Sequence, residues 1–425
     1  MNENFLQFIW QQQLFDKENL YSIDKKTIKI IHPGFLNTDS GPDFFNAKIK
    51  IGNQLWAGNI EIHVKSSDWN KHNHNIDSSY DNVILHVVSD FDLQIETTKG
   101  IKIPTLILKY NPVLYENYTK LIMNKGPIPC SDFFYEIDSF YIKSWQNRLL
   151  IERFERKTDE VLKSFRDNNN YWEETFYIFL AKNFGFKLNS LPFEMLAKSL
   201  PLKSILKQKD SLLQIEAMLF GQAGFLDDDC NDDYYKLLKR EYLFLAKKFN
   251  LQKIDNNMWK YLRLRPVNFP TIRIAQFASV LHKNINLFST IISSKNVKNI
   301  RKLFEVNTSN YWNNHYQFCK KSKKRIKTLG EKSIDGILIN TVALFLFAYG
   351  EEKQKSEFKE KALELLEIIK SEKNSIIRKW ETNNIIPENA FESQALLELY
   401  NEYCKKSKCL NCNIGSKIII REKYL

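Results

Sequence analysis

Two carboxylates and a row of basic groups stand at spacings suited to holding a divalent cation. Asp43 lies in Gly41-Pro42-Asp43-Phe44, ahead of Ala47-Lys48-Ile49-Lys50, and the next apolar run is Gly58-Asn59-Ile60-Glu61-Ile62-His63-Val64-Lys65. If both runs are strands of one hairpin, alternation puts Glu61, His63 and Lys65 on one face and Ile60, Ile62 and Val64 on the other. Asp43 then sits at the hairpin's mouth and Glu61 on its returning arm, so the carboxylates can converge. Such a pair binds a hard cation, Mg²⁺ or Mn²⁺, which activates water and stabilises charge on a phosphate. His63 or Lys65 would orient the attacking water. As a ligand, His63 would suit a softer ion such as Mn²⁺, Fe²⁺ or Zn²⁺. The plain alternative is a hairpin with a solvated polar face.

Four of the 7 histidines fall in one short stretch: His63, His72, His74 and His86. His72 and His74 follow Asp68-Trp69 in a polar loop. His86 lies inside Asn82-Val83-Ile84-Leu85-His86-Val87-Val88, an apolar strand in which an imidazole needs a hydrogen-bonding partner. If that strand runs beside the Glu61 strand, His86 faces the same site. The expected metal ligands are Asp43, Glu61 and His74, with His86 as a ligand or general base. A satisfied core histidine is the competing explanation for His86.

A second candidate metal site is Cys404-(x4)-Cys409-(x2)-Cys412. Three thiolates at this spacing suit Zn²⁺ or an iron–sulfur cluster, and Cys130, in Pro127-Ile128-Pro129-Cys130, is the remote candidate for a fourth ligand. Lys405, Lys406 and Lys408 would lower the thiol pKa values. Cys230 and Cys319 read as spare thiols. The run Arg263-Leu264-Arg265-Pro266-Val267-Asn268-Phe269-Pro270-Thr271-Ile272-Arg273 places three arginines and Asn268 on an extended loop before a helix. It would hold a phosphate or a nucleic-acid backbone. Alternatively its arginines pin the loop to carboxylates such as Glu216 or Glu241. The small residues of Gly221-Gln222-Ala223-Gly224 have no phosphate-loop spacing and read as packing.

The elements that must position these groups change character along the chain. Residues 3–15 have helical spacing of Phe5, Phe8, Ile9 and Leu14. Strands are expected at Thr27–Ile31, Ala47–Ile51, Leu55–Lys65, Val83–Val88, Leu93–Thr97 and Thr105–Leu108, with room for a short helix in Ser66–Tyr80. From about residue 138 the spacing is helical almost throughout, without a fixed repeat. The expected fold class is α+β: a small α/β domain with a mixed sheet over 1–125, then a large, irregular all-α, basic domain over 126–425 ending in the cysteine cluster.

Composition fits a folded chain of this kind, with 43% hydrophobic and 26% charged residues. The formal net charge of +12 is uneven. Residues 1–125 carry 13 Lys and Arg against 14 Asp and Glu, and the remainder 49 against 36. A basic second half attracts polyanions, so nucleic acid is the expected partner. The best apolar run, Ile337 to Tyr349, is broken by Asn340 and Thr341 and is too short to span a bilayer. No export signal is read at the amino terminus, so a cytoplasmic protein with reduced thiols and no membrane partner is expected. Oligomeric state is not legible.

The order helix, three strands, short helix, strand resembles the core of the PD-(D/E)XK nucleases. In that family the basic group two residues after the second carboxylate is usually Lys; here it is His63, with Lys65 one alternation further. Some of these nucleases join their ends through an iron–sulfur cluster with one early and three late cysteines, which the resemblance extends to Cys130, Cys404, Cys409 and Cys412. Over nearly the whole chain, the motifs also resemble an uncharacterised bacterial family, domain of unknown function 2851. They are Asn37-Thr38-Asp39-Ser40-Gly41-Pro42-Asp43-Phe44, Gly58–His63, Asp68-Trp69 with His72 and His74, Leu85–Val88, Gln222-Ala223-Gly224, Arg265–Pro270 and the closing Cys404, Cys409, Cys412 and Gly415. That resemblance implies no activity. The expected function is a metal-dependent, nuclease-like phosphodiesterase acting on nucleic acid. The alternatives are a non-catalytic nucleic-acid-binding or scaffold protein with a structural metal, and a metal hydrolase of a small substrate.

Overall fold

The computed structural model describes residues 2–284 and 286–421. The chain forms two units, Met1–Trp145 with Leu399–Leu425, and Gln146–Glu398. The division falls later than the expected 125, and the carboxyl end returns to the first unit. The Asn117 amide donates to the carbonyls of Ile419 and Arg421, each at 3.2 Å, and Ile414, Ile418 and Ile419 bury one side of the last helix. A reading of local periodicity has no access to contacts between such distant segments.

In the first unit, α1 (Glu3–Gln11) is capped by the Asn2 side chain and buries Phe5, Leu6, Phe8, Ile9 and Trp10. Six strands make one sheet: β1 (Ile28–His32), β2 (Phe35–Leu36), β3 (Phe44–Ile51), β4 (Gln54–Lys65), β5 (Val83–Asp90) and β6 (Thr105–Ile107). Their order is β1-β3-β4-β5-β6, with β2 also on β3. The β1–β3 and β3–β4 pairs are antiparallel, and β4–β5 and β5–β6 are parallel. The β3–β4 hairpin closes through two residues, Gly52 and Asn53, with Gly52 in the left-handed region at φ 58°.

A parallel neighbour demands a crossover. Here it holds α2 (Asp68–Lys71) and single 3₁₀ turns at His74–Ile76 and Ser78–Tyr80. This segment carries His72 and His74 back toward β4. Parallel partners on both sides, with both faces covered, explain the unbroken apolar run of β5, buried from Val83 through Val88. Gly58 permits the approach of β4 to β5: a Cβ there would lie 2.5 Å from the Ile84 side chain and 2.6 Å from the Asn82 carbonyl. The expected strand Leu93–Thr97 is reduced to a bridge between Glu96 and Lys102. Its Ile95 joins Ile103, Val83 and Trp69 in an apolar cluster instead.

The second unit is mainly helical, close to expectation, with helices at Trp172–Phe184, Leu212–Gln222, Asp233–Phe249, Pro270–Lys283 and Ser356–Ile368 among others. Trp172–Phe184 and Pro270–Lys283 are buried nearly all round and stack Tyr177 on Phe277 at 5.7 Å. Glu331–Glu352 has the length and hydropathy of a membrane span, yet 72% of its apolar window is buried inside the protein. One correction concerns the all-α expectation: His315–Gln317 and Lys320–Lys321 form a short antiparallel pair. A second concerns the thiols. Cys319, at the turn of that pair, is joined in a disulfide to Cys230, with a Cα–Cα distance of 6.2 Å, so neither is a spare thiol.

Candidate metal centre

Asp43 and Glu61 meet across the β3–β4 hairpin. The Asp43 N–H donates to Glu61 Oε2 (3.0 Å), and the Ile62 N–H donates to Asp43 Oδ2 (3.0 Å). A register shift between Phe44 and Ala47, with Asn46 at φ 55°, bends β3 beside this crossing. Such irregularities re-aim side chains next to sites. The remaining Asp43 oxygen accepts from Gln7 Nε2 at 2.8 Å, so both Asp43 oxygens are engaged.

The remaining oxygen of Glu61 faces the imidazoles. Glu61 Oε1 lies 3.3 Å from His74 Nε2 and 3.6 Å from His63 Nε2. His63 Nε2 in turn lies 3.1 Å from His72 Nδ1. Among the described residues, His63, His72 and His74 are the group whose ligand atoms all fall within 4.8 Å of one another. Ligands about 2.0–2.1 Å from a tetrahedral ion are separated by about 3.3–3.4 Å. The donor spacings here match the edges of such a polyhedron.

The supports of this cluster come from several elements. His63 Nδ1 and His86 Nε2 are 2.8 Å apart, because the parallel register sets Glu61 opposite His86. With the His63 Nε2 lone pair aimed at the cluster, Nδ1 carries the hydrogen and donates to His86. His86 then carries its own hydrogen on Nδ1, which is buried without a partner. His86 is thus a support for His63, the second-layer role that fixes a ligand's tautomer. Tyr80 stacks on His74 at 3.7 Å, and Trp69 sits edge-on to His74 and His86 at 5.4 and 5.6 Å.

Electrostatics follow from burial. Glu61, His63, His74 and His86 are buried, while His72 is exposed and leaves the cluster open on one side. Burial, then the neighbouring Glu61 charge, pushes Asp43 up to about 7; hydrogen bonds from Gln7 and Ile62 act against this. Burial pushes Glu61 up to about 8, partly offset by the Asp43 N–H. His63 is pulled down to about 2 by burial and then by His86, His74 and His72; His86 is pulled down to about 3, chiefly by burial. These imidazoles are neutral at physiological pH, the form that binds metals. Without a cation the two acids hold protons near neutrality. A nitrogen-rich set with one carboxylate fits a borderline divalent ion better than Mg²⁺.

Sequence reasoning missed α1. Glu3 and Gln7, one helical turn apart, border the acids; burial raises Glu3, with His72 and His74 acting the other way. The only sequence signal was an acid and an amide four residues apart on an otherwise apolar helix. Lys65 does not join the cluster. It ends β4 with an exposed side chain, its backbone N–H held by Asp68 at 3.0 Å.

The four cysteines 130, 404, 409 and 412 belong to the same unit and stay outside any disulfide. Cys130, Cys409 and Cys412 are buried. Burial raises the Cys130 thiol well above its ordinary value, and the nearby Cys404, Cys412 and Cys409 push it further. Cys409 is raised to about 12 by burial and then by Cys412. The neighbouring lysines do not lower these thiols as expected, because desolvation outweighs them. Gly415 completes the local winding: a Cβ there would run into the Cys409 carbonyl.

In the arginine loop, Arg263 and Arg265 are exposed, Asn268 is half-buried and Arg273 is buried. Neither expected acid pairs with Arg273. Glu216 accepts from Tyr234 and Ser309, and Glu241 from Gln214.

No curated protein and no solved structure matches the chain. A family match does cover most of its length, including the hairpin acids, all four clustered histidines and the arginine loop, and stopping short of the last three cysteines. Over residues 3–375 the chain belongs to the family described as protein of unknown function (DUF2851).

Proposed function

We propose that the first unit is a metal-dependent phosphodiesterase acting on nucleic acid. The observation that carries this reading is the convergence of Glu61 Oε1, His63 Nε2 and His74 Nε2, with His72 Nδ1 beside them, at spacings of 3.1 to 3.6 Å. Glu61, His63, His72 and His74 would hold Mn²⁺, Fe²⁺ or Zn²⁺. Such an ion supplies Lewis acidity toward a phosphoryl oxygen and lowers the pKa of water. Asp43, held at about 7, can take up or release a proton near neutral pH. His86 keeps His63 in its ligand tautomer, and the open side at His72 admits a substrate. The mixed sheet with acids on its central hairpin supports the nuclease comparison as analogy only. The excess of Lys and Arg beyond residue 125 supports a polyanionic substrate.

We further propose that Cys130, Cys404, Cys409 and Cys412 hold zinc or an iron–sulfur cluster. Four thiols that oppose one another's ionisation become a favourable group once a cation offsets their charge.

The test uses the full chain, stripped and reloaded with Mn²⁺, Zn²⁺ or Mg²⁺, against end-labelled single- and double-stranded DNA and RNA. Cleavage is expected with a borderline ion and is expected to be lost in Glu61→Ala with the fold retained. Cleavage that survives Glu61→Ala removes the site from the reaction. A second reading has a specific basis: three imidazoles and one carboxylate suffice to close a tetrahedral shell. In that case one non-exchanging zinc is found, no substrate is cleaved, and His74→Ala unfolds the unit.

A further inference from the structure

In the second unit a charged side chain is buried without a counter-charge. Arg273, in the first turn of the helix Pro270–Lys283, is 8% exposed. Its Nη2 donates to Asn268 Oδ1 at 2.7 Å and to Ser333 Oγ at 3.1 Å, and its Nη1 to Gln276 Oε1 at 3.0 Å. All three acceptors are neutral. Its Nε is buried with no partner. The guanidinium lies over the Phe186 ring at 4.2 Å, and burial pulls its pKa down to about 10 with no carboxylate acting against it. A buried arginine ordinarily has an anion beside it, because desolvating the charge alone is expensive.

The side chain borders a cavity of about 210 Å³ whose walls include Phe186, Asn189, Leu264, Asn268 and Pro270. The walls are built firmly. Asn189 exchanges two hydrogen bonds with the Lys260 backbone, at 2.9 and 2.8 Å. A Cβ at Gly185 would strike the Asn189 backbone. Phe186 and Lys187 both hold left-handed backbone, at φ 40° and 63°, a conformation that bulky residues keep only when their surroundings impose it. The helix that opens at Pro270 has no side-chain cap, so its positive end is left for another acceptor.

We propose that this cavity binds a phosphate group, held by the Arg273 guanidinium edge and the amino terminus of the helix Pro270–Lys283. A phosphate presents two oxygens to the guanidinium and a third to the helix end, which a carboxylate lacks. Arg263 and Arg265, being exposed, are not part of the pocket. The inference does not depend on the metal centre, since every residue in it belongs to the second unit.

The experiment titrates the full chain, in chelator, with inorganic phosphate at constant ionic strength, using calorimetry and thermal melting; acetate is the control anion. Wild-type protein is expected to bind phosphate and to melt higher in it. Arg273→Lys keeps the charge but loses the planar edge, and is expected to weaken binding about tenfold to a hundredfold. Asn268→Asp places a carboxylate on the guanidinium. It should abolish the phosphate response while melting no lower than wild type without phosphate. The proposal is overturned by a wild type that does not distinguish phosphate from acetate, or by a phosphate response that persists in Asn268→Asp.

Discussion

The substitution Glu61→Gln should reverse its effect on stability according to whether metal is present. Glutamine keeps an oxygen for the Asp43 N–H, which lies 3.0 Å away, but removes the charge. In chelated wild-type protein Glu61 has a folded pKa of about 8 against an ordinary 4.5. A carboxyl raised on folding binds more protons in the native state than in the unfolded state. Stability is therefore full below the ordinary value and declines as pH rises toward 8. Each pH unit between the two values corresponds to about 1.4 kcal/mol, giving an upper bound of about 5 kcal/mol. Coupling to Asp43 reduces what a single substitution recovers to about 2–4 kcal/mol. Urea unfolding in chelator near pH 8 should thus show the variant more stable than wild type, with the difference vanishing near pH 5. Adding Mn²⁺ or Zn²⁺ should stabilise wild type and leave the variant nearly unchanged, inverting the order. A variant less stable than wild type in chelator at pH 8 would refute the reasoning, because Glu61 would then be a structural hydrogen-bonding group and not a strained ligand.

Replacing Cys409 by Ser should lower the metal content assigned to the thiol site and leave metal at the histidine cluster unchanged; elemental analysis of both proteins checks this. Glu398→Gln leaves Arg153 and Arg156, now 3.3 and 2.7 Å from its carboxylate, with an uncompensated charge in a buried place, and should destabilise by about 3–5 kcal/mol in urea melts. Glu216, raised by burial to about 7, should make wild-type stability fall between its ordinary value of 4.5 and about pH 7. Glu216→Gln should flatten that slope by about 3 kcal/mol, and a variant with an unchanged slope would remove Glu216 as its source. Gly221→Ala would drive a Cβ into the Tyr242 ring and should lower stability by about 1–3 kcal/mol, read from the same melts.

Local pattern determined a good deal of this protein. Period-two alternation was enough to place Glu61 and His63 on one face of β4, and the apolar run around His86 marked a strand buried on both sides. Helical periodicity located Trp172–Phe184, Asp233–Phe249 and Pro270–Lys283 within a residue or two, because these properties depend on neighbours along the chain. What needed three dimensions was every role that depends on a partner far away. The parallel crossover returns His72 and His74 to β4, which turns a carboxylate pair into a largely imidazole site. The same register makes His86 a support for His63, and strand length leaves Lys65 in solvent. Charge alone suggested three equivalent arginines around Asn268, yet packing buries only Arg273. The pairing of Cys230 with Cys319, and the return of the carboxyl end to Asn117 and the neighbourhood of Cys130, join segments with no shared local signal. Spacing limits which groups can meet; only the folded chain selects which of them do, because burial and hydrogen bonding are settled by the whole structure at once.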